Sequence, residues 1–529
     1  MIVRAAVLGI AWLIAVAWRP FVLGLYHDDW CWAIEGAGHG GPFSWQRLAY
    51  ILYLDLGRPV NAFCCYLASS WCGRSPFLLQ LNSALAVLLA GWSIAALLDA
   101  AGRLYRPAAA PRWASVRAAV LWFVLPWTFG STAWPVAFPI VVGLALFCLS
   151  GALLFDGWAR NRPAAALPAF LYLASCLCYE ATYFQFAVLF LFGAVTWPGK
   201  RAGSRAFIRP LAAFLIAQTA AIAWNRLCPY LAGNATIAKH FNAGWLPLFL
   251  LSLGGLKAQL LSSAPECHRA LAWLVRAAVG LGGAAAVAGL LSRRRRTFAL
   301  RCLAGLSFCV LGVLLSIWLY SIAGYQVVGR GIFSRTTLVL SLWLIVAVWL
   351  FDLLAKEVWP RIGAVAAGLV AIAAACLLVA SLGRVRDWAE AWRLEKEIIA
   401  AAPVRDLAST GPLAIIVLSA PAFHQEVPVF AATWDISAAM NNSYPELRLA
   451  DDRRGLRPSG WRLFTVQREW VSAWDGRSMT QGPPPDGKPA HWTLRGDEVW
   501  LWRYPDRRLV RVRPPLVLGG PNPVVRAVR

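Results

Sequence analysis

The sequence predicts an α-helical polytopic membrane protein with about 11 transmembrane helices and a small C-terminal α+β extracytoplasmic domain. Three observations support this. Apolar residues make up 59% of the 529 residues and charged residues only 14%, whereas soluble proteins average about 25% charged residues. Apolar runs long enough to cross a bilayer recur along the first 380 or so residues. The connecting loops alternate between rich and poor in Lys and Arg, as membrane topology requires.

The predicted spans are apolar runs of about 17–25 residues. The first of them lacks a cleavage site, so we interpret it as a retained helix rather than a signal peptide. We place the spans at residues 2–25, 76–98, 118–134, 136–155, 165–180, 182–197, 210–226, 271–291, 302–323, 336–355 and 363–382.

Charge in the loops predicts the orientation of these spans. One alternate set of loops carries eighteen basic and two acidic residues, and the other set carries eight basic and five acidic residues. Because Lys and Arg collect on the cytoplasmic side, the N-terminus is predicted to be cytoplasmic, and residues 26–75, 227–270, 324–335 and 384–529 to be outside. This distribution accounts for much of the net charge of +24 without a nucleic acid partner.

The chain is therefore predicted to divide into a transmembrane module, residues 1–383, and an extracytoplasmic domain, residues 384–529. The domain is expected to open with an amphipathic helix, because apolar residues recur there at helical spacing. That helix has Val385, Trp388, Trp392 and Ile399 on its apolar face, with Glu395 and Lys396 off it.

Two further patterns in the C-terminal domain predict β-structure. Leu413 to Leu418 is a short apolar run typical of a buried strand. Residues 491–495 and 498–504 alternate on either side of Gly496-Asp497, which predicts a hairpin.

Twelve cysteines are present, and none follows Cys376. In an oxidising compartment some of the outer ones could pair, but sequence does not give the connectivity. Their spacing is not that of a zinc site. The outer cysteines are Cys31, Cys64, Cys65 and Cys72 in the first predicted outer loop, and Cys228 and Cys267 at the borders of the second.

The strongest candidate for chemistry is the segment His27-Asp28-Asp29, directly after the first span. Two adjacent acids at a helix C-terminus are disfavoured by the helix dipole and repel each other. Such a carboxyl group has a raised pKa or a cationic partner. The functional interpretation is a general base or metal ligand at the membrane surface, and the alternative is a turn where the chain enters water.

Other polar residues are predicted at the same outer face. Ser44 to Leu56 has the spacing of a helix lying along the interface. Arginine presents a planar set of donors that matches phosphate oxygens, so outer cations favour an anion site; the alternative is that each is a solvated or snorkelling loop residue. The candidate substrate-binding residues are His27, Arg58, Glu180, Lys239, His240, Arg330 and Arg335.

Together these features resemble the GT-C class of glycosyltransferases, which use polyprenyl-phosphate-linked sugars. The resemblance rests on Asp28-Asp29 after the first helix, the interfacial helix in the same loop, Gly57-Arg58-Pro59, Ser75-Pro76-Phe77 and Tyr179-Glu180. It covers about residues 1–380, and the C-terminal domain is similar in kind only.

The resemblance implies a transferase that moves a sugar from a polyprenyl-phosphate donor to a glycan, lipid or protein acceptor on the outer face of the membrane. Asp28 or Asp29 would be the general base, and Arg58, Arg330, Arg335 and Lys239 would hold the leaving phosphate. No metal is expected to be required, although a divalent ion could bind at Asp28 and Asp29. Abundant Ala, Arg and Trp together with only three Met indicate a GC-rich bacterial genome, and therefore a bacterial plasma (inner) membrane.

Two other functions remain open from the sequence. A transporter or flippase of a lipid-linked glycan would need polar contacts deep in the bundle. Ionisable residues within or beside the predicted spans are few and near the ends, among them Asp99, Glu180, Arg276 and Asp352. A non-catalytic membrane scaffold with an outer interaction domain would have no use for the acidic pair.

Overall fold

A computed structural model describes most of the chain. The described residues are 2–30, 41–105, 112–162, 164–196, 205–231, 242–358, 360–403, 414–418, 421, 423–430 and 433–444, followed by short stretches between 462 and 518. Two compact units are present. The first comprises residues 1–22, 48–68 and 77–386, and the second comprises residues 23–47, 69–76 and 387–529.

Helices account for nearly all of the regular structure before residue 401. The first helix continues through a π-helical turn at Leu13–Ala17 and a 3₁₀ turn at Arg19–Phe21. In chain order the helices are α1 Ile2–Trp12, α2 Trp45–Leu54, α3 Pro59–Cys72, α4 Pro76–Tyr105, α5 Arg112–Phe123, α6 Phe129–Thr132, α7 Phe138–Ala159, α8 Ala166–Cys178, α9 Gln185–Thr196, α10 Arg205–Leu231, α11 Trp245–Ser262, α12 His268–Leu291, α13 Arg296–Ile322, α14 Leu338–Val358 and α15 Pro360–Ala400.

The polytopic helical architecture predicted from composition is present. Within the described residues, nine helices are long enough and apolar enough to cross a bilayer. Three apolar helices are shorter, at Trp113–Phe123, Ala166–Cys178 and Glu180–Val195, in regions where the sequence predicted spans. In contrast, α11 is an 18-residue apolar helix, although it lies in the predicted outer loop 227–270. Its Gly254-Gly255 pair and Lys257 interrupt the apolar run, so counting consecutive apolar residues does not identify it as a span.

The core of the first unit lies among α4, α7 and α14. The apolar windows of these three segments are 67%, 78% and 78% buried, whereas the window of α11 is only 6% buried. Large side chains such as Trp122, Trp158 and Trp349 are almost fully enclosed. Helix α7 packs on α8, and α13 packs on α14. The helices with little burial therefore present apolar surface suited to lipid.

Ion pairs neutralise charges at helix ends in the first unit. Arg4 Nη1 lies 2.7 Å from Asp99 Oδ2. Asp352, almost fully buried on α14, pairs with Arg117 and, at 3.0 Å, with Lys356. All three cations lie in segments that charge counting assigns to the cytoplasmic side. Pairing of this kind lowers the cost of placing charge close to hydrocarbon.

Helix α15 is 41 residues long, about twice what a bilayer requires. The sequence predicted a span at 363–382 and a separate amphipathic helix after it, but the two form one continuous helix. Its charged portion from Arg384 onward extends beyond the apolar span. Glu395 was expected off the apolar face and is instead completely buried, which corrects the prediction. The indole N–H of Trp30 donates to its Oε2 at 3.0 Å.

After α15 the second unit continues with β1 Ala414–Leu418, β2 Phe423–His424, β3 Val427–Pro428, α16 Thr433–Ser443, β4 Arg462–Thr465, β5 Ser472–Trp474, β6 Ser478–Gln481, β7 Ala490–Thr493, β8 Val499–Arg503, β9 Leu509–Arg511 and β10 Leu516–Leu518. Within the described residues these strands form three small sheets. In the first sheet, β1 pairs in parallel with β4 and β8, and β8 pairs antiparallel with β9. The second sheet has the order β10-β5-β6-β7, and the third is the pair β2-β3.

The strand predicted at 413–418 is present as β1. The predicted hairpin around Gly496-Asp497 is wrong, because its two strands belong to different sheets: β7 pairs with β6, and β8 pairs with β1 and β9. Local alternation identified both strands correctly. It does not specify the partner of a strand, since pairing is decided by contacts between distant segments.

Glu395 gives the second unit a predicted dependence on pH. Its burial, together with the nearby charges of Asp435 and Asp29, raises the pKa of this carboxyl group well above the usual value, although the Trp30 hydrogen bond opposes the shift. The folded protein therefore keeps a proton that the unfolded chain has lost. Stability is largest below the unfolded pKa and falls as the pH rises towards the folded pKa, by about 1.4 kcal/mol per pH unit.

We expect Glu395→Gln to remove this loss, because the amide is neutral and still accepts the Trp30 hydrogen bond. Thermal unfolding of the full-length protein in detergent, between about pH 5 and pH 8, measures the effect. The melting temperature of the variant should exceed that of the wild type by a margin that grows with pH. Glu390→Gln, on the exposed side of the same helix, is the control. Identical pH profiles for wild type and Glu395→Gln would contradict the burial of an uncharged acid.

Candidate functional site

The residues predicted to form the site fall into both units, and two lie outside the described residues. His27, Asp28 and Asp29 belong to the second unit. Arg58, Glu180, Arg330 and Arg335 belong to the first unit. Lys239 and His240 are the two outside the described part of the chain. The two groups are therefore considered one at a time.

In the second unit, Asp29 shapes the chain directly after the first span. Its Oδ2 accepts the backbone N–H of Tyr26 at 2.7 Å, and its own N–H donates to the Tyr26 carbonyl at 3.0 Å. Asp29 is completely buried. The Tyr26 hydroxyl donates to the carbonyl of Trp388 at 2.9 Å. These contacts assign Asp29 to holding the turn, because short acidic side chains commonly close turns onto their own backbone.

The turn presents His27 and Asp28. His27 adopts a positive φ of 47°, an uncommon conformation for residues other than glycine. Its Nδ1 lies 2.7 Å from Oδ2 of Asp435, and its Nε2 lies 4.0 Å from Oδ1 of Asp28. Asp435 is completely buried, whereas the Asp28 side chain remains 21% exposed. Asp28 is thus the acid of the pair that solvent or a substrate can reach.

Asp435 occupies the first turn of α16, where the helix dipole favours a negative charge. A buried carboxylate bonded to one imidazole nitrogen fixes the ring orientation and directs the other nitrogen outward. Here the outward nitrogen is Nε2, on the side of Asp28. This arrangement of carboxylate, imidazole and carboxylate can orient and transfer a proton.

The same residues could hold a metal ion. One ligand atom each from His27, Asp28 and Asp435 lies within 4.8 Å of the other two. A mixed imidazole and carboxylate set suits transition metals better than Mg²⁺ or Ca²⁺, which prefer oxygen alone. The donor set fits such an ion, and the same three side chains are also placed to relay a proton.

In the first unit, Arg58 and Glu180 form a bidentate ion pair. Arg58 Nε lies 2.9 and 3.0 Å from the two carboxylate oxygens, and Nη2 lies 2.8 Å from Oε2. Asn225 Nδ2 donates to Oε1 of the same carboxylate at 3.0 Å. The Arg58 guanidinium also lies over the ring of Tyr179, 4.5 Å from its centre. Two candidate residues that are 122 positions apart in sequence are therefore in direct contact.

The charges around Arg58 keep it ionised. Burial alone lowers the pKa of an arginine, but Glu180 and Asp55 more than compensate, so the pKa of Arg58 is raised well above its usual value. The guanidinium is permanently cationic, and its Nε and Nη2 groups are already engaged with the Glu180 carboxylate. Arg58 therefore acts first as the partner that fixes the Glu180 carboxylate.

Glu180 and Asn225 line a cavity of about 310 Å³ in the first unit. It lies where α8 and α13 end and beside the last turns of α10. Aromatic side chains form much of its wall, and Arg226 contributes a positive charge. Its lining comprises Tyr179, Glu180, Ala181, Tyr183, Phe184, Ile222, Asn225, Arg226, Trp318, Leu319, Tyr320, Ile322, Ala323 and Tyr325.

A break between α8 and α9 creates one side of this cavity. Glu180–Thr182 forms a single 3₁₀ turn, and Phe184 follows with a positive φ of 61°. That conformation is costly for a bulky side chain. Gln218 of α10 supports it, because its Oε1 accepts the backbone N–H of Phe184 at 2.9 Å.

The two remaining arginines differ in position. The Arg335 guanidinium lies 5.6 Å from the ring centre of Tyr325, which lines the cavity, and its carbonyl accepts the Tyr320 hydroxyl at 3.1 Å. Arg330 instead donates from Nε to the carbonyl of Ser262 at 2.6 Å and is not among the residues lining the described cavity. Arg335 thus borders the cavity wall, whereas Arg330 anchors the end of α11.

Sequence analysis missed Asp435, Asn225 and Arg226. Asp435 lies 408 residues from His27, and its local sequence reads only as a favourable helix start. Asn225 and Arg226 lie in the last turns of an apolar helix, where polar residues are expected at the membrane surface in any case. The adjacent polar residues Asn225 and Arg226, at the end of the predicted span 210–226, were the signal in the sequence that could have indicated the cavity.

Comparison with known proteins assigns no family to this chain. No protein-family model matches it, and no curated protein matches it. Support for a function therefore comes from its residues and their geometry.

The Arg58–Glu180 pair makes a testable contribution to stability. Glu180→Gln keeps the acceptor for Asn225 but leaves the Arg58 charge uncompensated. We expect a loss of about 2–3 kcal/mol, less than for a fully enclosed pair because both side chains keep some access to solvent. The double variant Arg58→Met/Glu180→Gln should lose less than the sum of its single variants. Thermal unfolding in detergent measures both.

Arg393→Gln serves as the control, because Arg393 pairs with Glu390 and Glu397 on an exposed helix surface. Its replacement should leave the melting temperature unchanged. Additive losses from the two single variants at Arg58 and Glu180 would show that the pair is not coupled.

Proposed function

We propose that this protein is a membrane glycosyltransferase that moves a sugar from a polyprenyl-phosphate donor to an acceptor on the outer face of a bacterial plasma membrane. The observation that carries the proposal is the aromatic, charged cavity at the ends of α8, α10 and α13. The GT-C resemblance of the acidic loop and of the segments around Arg58 and Glu180 adds to it.

The composition of the cavity matches the chemistry of such a donor. Tyrosine and tryptophan faces suit the apolar face of a sugar ring or an isoprene unit, while Glu180 and Asn225 offer partners for hydroxyl groups. Arg226 supplies positive charge for a phosphate. A volume of about 310 Å³ is at the lower end of small-molecule sites. It accommodates a sugar and phosphate, with the polyprenyl chain left among the lipids.

Asp28 is our candidate for the general base. It is the exposed member of the acidic pair, while Asp29 is committed to the turn at Tyr26. As the GT-C resemblance implies for this acidic loop, the carboxylate accepts the proton of the acceptor hydroxyl, and the resulting oxygen nucleophile attacks the anomeric carbon of the donor. The bond from that carbon to the phosphate oxygen breaks, and polyprenyl phosphate leaves. His27, held by Asp435, orients Asp28 or shares its proton.

A phosphate leaving group needs cations more than a proton, because its second pKa is near 6. Arg226 lines the cavity, and Arg335 lies beside Tyr325 in its wall. Fixed positive charges at these positions stabilise the charge that develops on the leaving oxygen. No metal is required for these steps. The acceptor is a glycan, a lipid or a protein of the cell envelope.

The proposed function leads to a prediction about the general base, Asp28. Asp28→Asn should lower transfer by about 100-fold to 10,000-fold, the usual contribution of a positioned acid or base. Asp29→Asn should stay near wild type, because the amide oxygen still accepts the Tyr26 N–H. Mass spectrometry of lipid-linked sugars and envelope glycans measures this in a deletion strain complemented with each variant, with membrane levels of the protein checked.

The expected pattern is specific. The deletion strain lacks one sugar on a glycan and accumulates its polyprenyl-phosphate donor, and Asp28→Asn reproduces both changes. If both variants behave as wild type while the deletion strands a complete glycan on the inner leaflet, the protein is a transporter of lipid-linked glycan. If no glycan or lipid-linked sugar changes in the deletion strain, the proposal fails.

The proposed function also leads to a prediction about Arg226 and the phosphate of the donor. Arg226→Gln should raise the KM for the donor identified above by about tenfold to 100-fold, because a charge-assisted hydrogen bond is lost. Arg226→Lys should recover part of the affinity. Arg209→Gln, at the exposed opposite end of α10, is the matched control and should not change KM. An unchanged KM in Arg226→Gln would remove Arg226 from the donor site.

A further inference from the structure

Two cysteines that are far apart in sequence meet within the first unit. Cys267 ends the 3₁₀ turn Pro265–Cys267, just before α12, and Cys376 lies in α15. The Cys267 thiol donates to the backbone carbonyl of Cys376 at 2.9 Å. It also lies within hydrogen-bonding reach of the Cys376 thiol and of the backbone at Ala380. Both side chains are partly accessible.

Neighbouring contacts hold this approach in place. Glu266 Oε1 lies 3.3 Å from Arg384 Nη2. A Cβ at Gly383 would lie 2.4 Å from the same carboxylate oxygen, so only glycine allows Glu266 to lie there without displacement. Positions 376, 380 and 384 follow one another at intervals of four on one face of a helix. The turn before α12 therefore lies along this face of α15, and each of the two segments contributes one cysteine, Cys267 from the turn and Cys376 from the helix.

The sequence offers a different partner for Cys267. Cys228 lies at the other border of the same predicted outer loop, and loop position alone groups these two. The structure instead places Cys267 against Cys376, across 109 positions of sequence. Two cysteines can be bridged only when their Cβ atoms approach closely and face one another. The Cys267 thiol contacts both the backbone and the thiol of Cys376, which is the proximity that a disulfide requires.

We propose that Cys267 and Cys376 are a disulfide-forming pair that fastens the turn before α12 to α15. The oxidant is a protein disulfide of the extracytoplasmic compartment. One cysteine thiolate attacks that disulfide and forms a mixed disulfide, releasing one thiol of the oxidant. The second cysteine thiolate then attacks the mixed disulfide and releases the other oxidant thiol. Two thiols of this chain are oxidised, and one disulfide of the oxidant is reduced to a dithiol.

The proposal does not depend on glycosyl transfer, but it rests on the orientation in which loop charge places residues 227–270 outside the cytoplasm. A covalent link here would close a long loop that contains α12, α13 and α14. Such links stabilise a fold chiefly by restricting the unfolded chain. The Glu266–Arg384 ion pair holds the turn before α12 on the same face of α15 that carries Cys376, and so keeps the two thiols adjacent before oxidation.

The test is peptide mapping of the full-length protein from native membranes. Free thiols are blocked with N-ethylmaleimide during solubilisation, and the protein is digested without reductant. We expect most molecules to yield one peptide containing Cys267 linked to one containing Cys376, which a phosphine reductant separates. In Cys376→Ser the cross-link disappears and Cys267 becomes labelled. Cys228→Ser is the matched control and keeps the cross-link.

A second readout is thermal unfolding with and without the reductant. Reduction should lower the melting temperature of the wild type and of Cys228→Ser, and should not change that of Cys376→Ser. The proposal is overturned if wild-type Cys267 and Cys376 are both fully labelled by N-ethylmaleimide in unreduced protein. It is equally overturned if Cys267 is recovered linked to Cys228. Both of these outcomes are read on the wild type, so neither depends on a variant that folds.

Discussion

A bilayer offers no partner to a charged group, and this constraint organises the first unit. Water is absent from the hydrocarbon, so each ionised side chain has to lie near a helix end or beside an opposite charge. Asp99 meets Arg4, and Asp352 meets Arg117 and Lys356. Glu180 meets Arg58 in the same manner. Polar chemistry is thereby concentrated at positions where the helices stop.

The break after α8 places polar side chains in the wall of the cavity. A continuous helix through 179–184 would satisfy its own backbone and present one narrow face to its neighbours. Instead, the chain makes a single 3₁₀ turn and a positive-φ residue, Phe184, whose N–H is held by Gln218. The turn brings Glu180 and Tyr179 to the cavity wall. Strain concentrated at such a point is typical of functional segments and persists because the surroundings enforce it.

In the second unit the electrostatic constraint is different, because several carboxyl groups are buried close together. Asp29, Asp435 and Glu395 are all completely buried, and burial of several carboxyl groups is costly unless each is protonated, paired or hydrogen-bonded. Each takes a different route. Asp29 accepts a backbone N–H, Asp435 accepts from His27, and Glu395, whose pKa is raised by burial, accepts the Trp30 indole N–H. Asp28 alone of this group keeps access to solvent through its side chain.

Close packing in the second unit depends on a small residue as well. A Cβ at Gly24 would lie 1.9 Å from the Trp392 ring, so the chain before the acidic turn can approach that indole only as glycine. This contact positions the turn that carries His27 and Asp28. The sequence places Gly24 within an apolar run and gives no sign of this role.

The sequence by itself determined that the chain is polytopic and helical, because bilayer-length apolar runs and low charge follow directly from burial in lipid. It also singled out Arg58, Glu180 and Asp28 as candidate site residues, since polar residues at span borders are conspicuous against an apolar background; their role stays a prediction. Tertiary structure alone decided that Arg58 is held by Glu180, that Asp435 holds His27, that Glu395 is buried and that β7 and β8 lie in different sheets. Those outcomes depend on contacts between segments up to 408 residues apart, and local periodicity carries no information about which distant surfaces meet.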